Sequence, residues 1–201
     1  MIRAFVLAST IAVLGASGVA HATAKIDEQA SEFTLTDSNG TAHALSDFRG
    51  KTVVLEWTNA ECPFVVKHYG PGNMQRQQAA ATESGSIWLT INSGAPGKQG
   101  HVDGAGANAI VAETSGKQTA YLLDSDGKVG RMYGAKTTPH MYVIDGEGVL
   151  RYIGAIDSNP SGDPADIADA KQYVELALAD LATGRPVATP LTQPYGCSVK
   201  Y

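Results

Sequence analysis

Hydrophobic positions in this chain fall into short runs separated by turns rich in glycine, asparagine and aspartate. Phe33-Thr34-Leu35-Thr36 alternates, Asp37-Ser38-Asn39-Gly40 turns, and Ala42 to Leu45 resumes, which predicts a β-hairpin. Thr52 to Trp57 and Ile87 to Ile91 are nearly continuous apolar runs and read as buried central strands. Between them a helix starts at Pro63, breaks at Gly70-Pro71-Gly72, and resumes from a capping Asn73 to about Ser84, where Gly85 stops it. Ser93 to Gly106 reads as a loop, Ala107 to Thr114 as a helix, Tyr121 to Leu123 as a strand and Lys128 to Tyr133 as one or two helical turns. Met141 to Ile144 and Val149 to Ile153 flank the turn Asp145-Gly146-Glu147-Gly148 and predict a second hairpin. Ala165 to Leu181 reads as one helix stopped by Gly184. Strands alternating with helices require parallel pairing through crossovers, and the late hairpin makes the sheet mixed. The expected fold is an α/β domain with a central mixed sheet flanked by helices.

The first residues have a different organisation. Arg3 precedes an uncharged, mostly apolar run from Phe5 to Gly15, and Ala20-His21-Ala22 has the small-x-small form of a cleavage site. The run is shorter than the ~20 apolar residues a membrane span needs. Residues 1–22 therefore read as a signal peptide, 23–184 as the folded domain and 185–201 as a C-terminal tail. No cysteine sits at the cleavage site, so no lipid anchor is expected. The mature chain is expected to be exported, soluble and without a membrane span, with a bacterial periplasm as the expected compartment.

Composition narrows the function classes. Of 201 residues, 43% are hydrophobic and 17% charged, enough apolar surface for a core. The net charge of -5 lacks the basic footprint of a nucleic-acid binder, so no nucleic-acid partner is expected. Two cysteines, Cys62 and Cys197, exclude a cysteine zinc cage but allow one disulfide. Asp124-Ser125-Asp126-Gly127 has Tyr133 where a calcium loop needs glutamate, and Gly94 to Gly106 lacks a Gly-Lys-Ser/Thr ending. Neither a cofactor nor a resident metal is therefore expected.

Cys62 directly precedes Pro63, which places it at a helix N-cap. Unpaired amides and the helix dipole there favour a thiolate, the nucleophilic form. The stretches FRGKTVVLEWTNAECPFVVKH and KTTPHMYVIDGEGVLRYIG resemble the thioredoxin superfamily, and within it the peroxiredoxin-like redoxins that include alkyl hydroperoxide reductase and thiol-specific antioxidant proteins. The resemblance runs from about Glu32 to Leu181 and implies a thioredoxin-like fold. It departs from the two-cysteine thioredoxin motif: the window is Cys62-Pro63-Phe64-Val65, so Cys62 takes the first cysteine's place and Val65 the second's. Peroxiredoxins attack from the second position and carry an upstream proline with Thr or Ser, neither of which is present here.

The resemblance also implies roles for other residues. Thr138-Pro139 matches the Thr-Pro whose peptide bond is cis, in a loop that packs on Cys62 and presents backbone to a partner. Thr138, Pro139, His140 and Pro63 are thus the expected substrate-binding residues. Glu56 stands where the family often places a buried acid; burial raises a carboxyl pKa, which would let it exchange a proton with Cys62. An edge or surface glutamate is the other reading of Glu56. His140 either assists thiolate formation or joins Cys62 as a soft-metal pair.

Cys197 lies on a Pro- and Gly-flanked tail able to fold back across the domain. A Cys62–Cys197 bridge would close a loop worth roughly 5 kcal/mol of chain entropy. Three functions follow. In the first, Cys62 attacks a disulfide of a protein or small molecule and Cys197 resolves it, with a thiol as electron donor. In the second, the same pair consumes a peroxide. In the third, the fold is a non-catalytic binding module with a structural disulfide or a copper site.

Overall fold

In the computed structural model, which describes residues 24–201, the chain forms one seven-stranded mixed sheet between helices. The expected signal peptide, residues 1–22, lies outside the described residues. β1 (Thr34–Asp37) and β2 (Ala42–Ala44) form the N-terminal hairpin, followed by a 3₁₀ turn at Leu45–Phe48. β3 (Val53–Trp57) and β4 (Ile87–Asn92) are buried at every position, as their uninterrupted apolar runs require. β3, β4 and β5 (Ala120–Leu123) pair in parallel. The antiparallel hairpin of β7 (His140–Ile144) and β8 (Leu150–Gly154) closes the other side. The order β2-β1-β5-β4-β3-β7-β8 puts β3 near the centre, so the loop leaving its C-terminal end opens onto the middle of the sheet.

Helices cover both faces. α1 (Pro63–Tyr69) and α2 (Asn73–Glu83) are separated by the Gly70-Pro71-Gly72 break. α2 and α5 (Tyr173–Ala182) pack on Val54, Trp88, Met141 and Tyr152. The opposite face buries Leu55, Trp57, Leu89, Ile91 and Tyr142 against Tyr133 of α4 (Lys128–Tyr133). Among the described residues no helix is long and apolar enough to cross a membrane.

The structure corrects several expected boundaries. The helix expected over Ala165–Leu181 is a 3₁₀ turn at Pro164–Ile167 followed, after an interruption, by α5. Residues in the interruption pair sideways instead: Ser158 N–H donates to Lys171, Tyr173 N–H donates to Ile156, and Asp157 bridges Gln172. α3 (Gly104–Thr114) begins three residues before Ala107 because the Asp103 carboxylate caps the Gly106 amide at 2.8 Å. Gly72, not Asn73, is the N-cap of α2; the Asn73 side chain is engaged with His68, Arg76 and Gln172. Two further strands had no sequence signal. β6 (Thr137–Thr138) and β9 (Cys197–Ser198) form a separate two-stranded sheet that fastens the tail.

Candidate active site

The loop after β3 presents Cys62 to the tail. Asn59 shapes it: the Asn59 carbonyl accepts the Cys62 amide at 3.0 Å and its side-chain oxygen accepts the Glu61 amide at 2.9 Å. Cys62 then takes the expected N-cap conformation, with φ -81 and ψ 122, and its carbonyl accepts the Val65 and Val66 amides. Pro63 fills the first helical position and is exposed. The Cys62 side chain is 0% exposed.

The tail supplies the cover. Thr138 pairs with Cys197 and Thr137 with Ser198, and the Val199 amide donates to Lys136. The Tyr201 hydroxyl reaches the Ala135 carbonyl at 2.8 Å, and its ring lies against the Arg131 guanidinium. Gly196, with φ +130, lets the tail pass over Thr138: a Cβ at that position would overlap the Thr138 carbonyl oxygen. The Thr138–Pro139 bond is cis, as the resemblance implied. Thr138, Pro139 and His140 are all buried, so the backbone edge expected to hold a partner is occupied by the chain's own tail.

The two cysteines meet beneath this cover. Both are free thiols; Cys197 is partly exposed. The Cys62 thiol donates to the Thr138 carbonyl at 3.1 Å, and the Cys197 amide donates to the Cys62 sulfur at 3.4 Å. Burial alone would push the Cys62 pKa up. The Cys197 thiol and amide, the Thr138 hydroxyl and the Val65 amide outweigh it, and the net shift is downward. Cys197 moves oppositely, to about 11, because of burial, its hydrogen bond to Cys62 and the nearby Cys62 charge. The pair is unequal: Cys62 loses its proton first and Cys197 keeps one to donate.

Glu56 is fully buried, which rejects the edge or surface reading. Its carboxyl accepts from Tyr69 at 2.9 Å, Trp88 at 2.8 Å, Thr90 at 3.0 Å and Gln78 at 3.2 Å. Burial raises its pKa against these four donors. None of its partners is a cysteine, so the proton exchange expected between Glu56 and Cys62 has no direct hydrogen bond to carry it. His140 likewise engages other groups. Its Nδ1 accepts the Lys136 amide at 3.3 Å and lies 3.2 Å from the Tyr142 hydroxyl, while Nε2 has no partner among the described residues. Burial and Lys136 lower its pKa to about 3. The expected aid to Cys62 ionisation thus lacks a hydrogen bond as well.

One cluster escaped the sequence reading. Lys67 and Asp157 are an ion pair with no exposed side-chain surface, at 3.1 Å. The Tyr195 hydroxyl donates to Asp157 and lies 3.3 Å from the Lys67 ammonium and 3.2 Å from His68. This cluster binds the tail to α1, two residues before Cys197. Its only sequence signal was a lysine in the apolar helix run Phe64-Val65-Val66-Lys67. On the other flank of α1, a cavity of about 390 Å³ is lined by Val65, Val66, Tyr69, Ile110 and Tyr121, but not by Cys62.

Known proteins share this fold. The model of the family described as AhpC/TSA matches residues 26–153. No curated protein matches the chain. An uncharacterised conserved protein from Geobacillus kaustophilus is 25% identical, with a TM-score of 0.74 over 88% of this chain and 92% of its own. A hypothetical protein from Sinorhizobium meliloti 1021 is 23% identical, with a TM-score of 0.73 over 90% and 96%. A thiol:disulfide interchange protein from a Bacteroides species is 19% identical, with a TM-score of 0.53 over 71% and 86%, and shares the fold. The expected thioredoxin-like architecture is the observed one.

Proposed function

The chain belongs to the AhpC/TSA family, a redoxin branch of the thioredoxin superfamily, and from that premise we propose that it is an exported thiol–disulfide oxidoreductase working through Cys62 and Cys197. The observation that carries the reading is the 3.4 Å contact of the Cys197 amide with the Cys62 sulfur, beneath a tail that holds the two residues together. The Cys62 thiolate attacks one sulfur of a substrate disulfide and expels the other as a thiolate. Cys197 then attacks the mixed disulfide at Cys62, releasing the second substrate thiol and leaving Cys62–Cys197. Two electrons pass from the cysteine pair to the substrate, and an external thiol returns them. In this reading Thr138, Pro139, His140 and Pro63 are the substrate-binding residues, with the Thr138 carbonyl 3.1 Å from the Cys62 sulfur. Glu56 enters this reading as a buried acid of β3 that acts on Cys62 only through intervening groups. Residues 1–22 direct export and are removed; residues 23–184 form the catalytic domain and 185–201 the tail.

The test is disulfide reduction by the full mature chain. Oxidised protein should yield the Cys62–Cys197 peptide on mapping, and the reduced protein should reduce a disulfide substrate. Cys62→Ser should abolish turnover. Failure to form the intramolecular bond, or full activity in Cys62→Ser, overturns the proposal.

A second reading follows from the complete burial of Cys62, which favours a small oxidant over a protein disulfide. The Cys62 thiolate attacks a peroxide O–O bond, releases water or an alcohol and becomes a sulfenic acid. Condensation with Cys197 releases water and gives the same disulfide. Peroxide consumption that vanishes in Cys62→Ser supports this reading; none in the wild type excludes it.

A further inference from the structure

Buried polar atoms without partners are few in a folded chain, so a place where several gather is informative. Among the described residues, five side-chain polar atoms are buried and make no hydrogen bond. Three of them, Gln75 Oε1, Gln118 Oε1 and the Tyr121 hydroxyl, belong to residues that line the cavity of about 390 Å³ beside α1. Gln75 is held in one orientation: its Nε2 donates to the carbonyls of Tyr69 at 2.9 Å and Thr114 at 2.7 Å, which leaves the oxygen as its free end. Tyr121 is 4% exposed, and the polar side chain beside it, Asn92, spends its amide on the Gly100 carbonyl and the Gly94 amide. Two other polar groups of the wall are engaged, the Tyr69 hydroxyl with Glu56 and Gln78 and the Thr114 hydroxyl with the Ile110 carbonyl. Val65, Val66 and Ile110 make the remaining wall apolar. An apolar cleft of this size with a few convergent polar atoms has the ordinary form of a small-molecule site.

We propose that this cavity binds an uncharged small molecule with an apolar body and a carboxamide head. The three free atoms set the head. An amide oxygen only accepts a hydrogen bond, whereas a tyrosine hydroxyl also donates one. A primary carboxamide carries two N–H donors and one carbonyl, the complement of two amide oxygens and one hydroxyl. Charge is excluded by what the wall lacks. No Lys, Arg or His of the described residues lines the cavity, so a carboxylate would enter without a cation and against two carbonyl oxygens. The one acid of the wall, Glu113, is exposed, so an ammonium carried to the buried atoms would lose its water without gaining a buried carboxylate. Neither cysteine lines the cavity, so binding there is independent of disulfide chemistry.

The experiment titrates the reduced mature chain with benzamide and, separately, with toluene, benzoate and benzylammonium, and follows the methyl resonances of Val65, Val66 and Ile110. Benzamide should shift these methyls with a Kd of about 1 mM, the range open to so small a ligand. The other three probes should bind about fivefold more weakly or not at all, because each lacks the donors, the acceptor or the neutrality that the wall requires. Tyr121→Phe keeps the ring and removes a hydroxyl that has no partner in the fold. It should weaken benzamide about fivefold and leave toluene no weaker. Val66 is 51% exposed, so Val66→Phe should fold while narrowing the cavity, and it too should weaken benzamide about fivefold or more. No shift of these methyls by benzamide overturns the proposal. So does toluene or either charged probe binding as tightly as benzamide, since the free atoms would then not be reading the head. Benzamide binding unchanged in Tyr121→Phe or in Val66→Phe overturns it as well.

Discussion

The backbone amide of Cys197 donates to the sulfur of Cys62 at 3.4 Å, across 135 positions of sequence. On the other side of that sulfur stands the Thr138 carbonyl, 3.1 Å away, which accepts the thiol proton. Which of the two contacts prevails depends on whether Cys62 is ionised, and the tail supplies the donors that favour the ion. The thiols should therefore titrate in two separate steps. The first, from Cys62, should fall below the ordinary thiol value of about 8.5. The second, from Cys197, should lie at about 11. Ultraviolet thiolate absorbance reads both, with Cys62→Ala and Cys197→Ala assigning the steps. Removing the Cys197 thiol should raise the Cys62 step; an unmoved Cys62 step in Cys197→Ala would show that the tail thiol does not tune it.

Gly196→Ala should unseat the tail without touching either cysteine. The new methyl group meets the Thr138 carbonyl, and φ +130 is unfavourable for alanine. Reduced Cys62 should then react with an alkylating reagent about tenfold faster or more, because reaction no longer waits for local opening. Formation of the Cys62–Cys197 bond should slow in the same variant. Alkylation at the wild-type rate would mean that β9 does not shield Cys62.

Much of the sheet and little of the cover could be read along the chain. β3 and β4 announce themselves because central parallel strands are buried on both faces and need uninterrupted apolar runs. Cys62 was found because the proline after it marks a helix start. Thr137–Thr138 and Cys197–Ser198 gave no signal: two-residue strands have no period, and their pairing joins segments about 60 residues apart. The resemblance implies a buried acid at Glu56 while the residues alone leave an exposed one open, and its four hydrogen-bond donors come from β4, α1 and α2, elements that only the fold assembles around it. The break before α5 was hidden for a similar reason. The apolar spacing of Ile167, Tyr173 and Val174 fits a helix, and it is the pairing of Asp157 with Gln172 that draws the backbone aside.

Lys67→Met tests the buried cluster that anchors the tail. It leaves Asp157 buried without its cation, facing Tyr195 and the neutral His68. Removing one member of a buried ion pair costs about 3–5 kcal/mol, to be measured by denaturant unfolding. Adding Asp157→Leu to that variant should recover most of the loss, since two apolar side chains leave no stranded charge. The recovered protein should still show faster Cys62 alkylation, because the Tyr195 hydroxyl has lost both of these partners. A double variant no more stable than Lys67→Met would show that the loss did not come from the stranded carboxylate.

Two buried histidines should make the protein sensitive to mild acid. Burial lowers the pKa of His68 to about 4, with Asp157 opposing and Lys67 adding to the shift, and burial lowers His140 to about 3. Both rings are neutral in the folded chain, whereas in the unfolded chain they take up protons below about 6.5. The unfolded state therefore binds more protons between pH 6.5 and those lowered values. Stability is complete above 6.5 and falls as the pH drops through the window, by about 1.4 kcal/mol per unit for each ring. Glu56 and Asp124, whose pKa values burial raises, act in the opposite sense, because their folded forms hold protons that the unfolded forms release. A single melting curve mixes these contributions, so the measurement is a difference. His140→Asn removes one titrating ring while offering an amide oxygen to the Lys136 amide that Nδ1 accepts. Its unfolding free energy, followed from pH 6.5 to 4, should fall less steeply than that of the wild type by about the one-ring slope. Equal slopes would mean that His140 is charged in the folded protein.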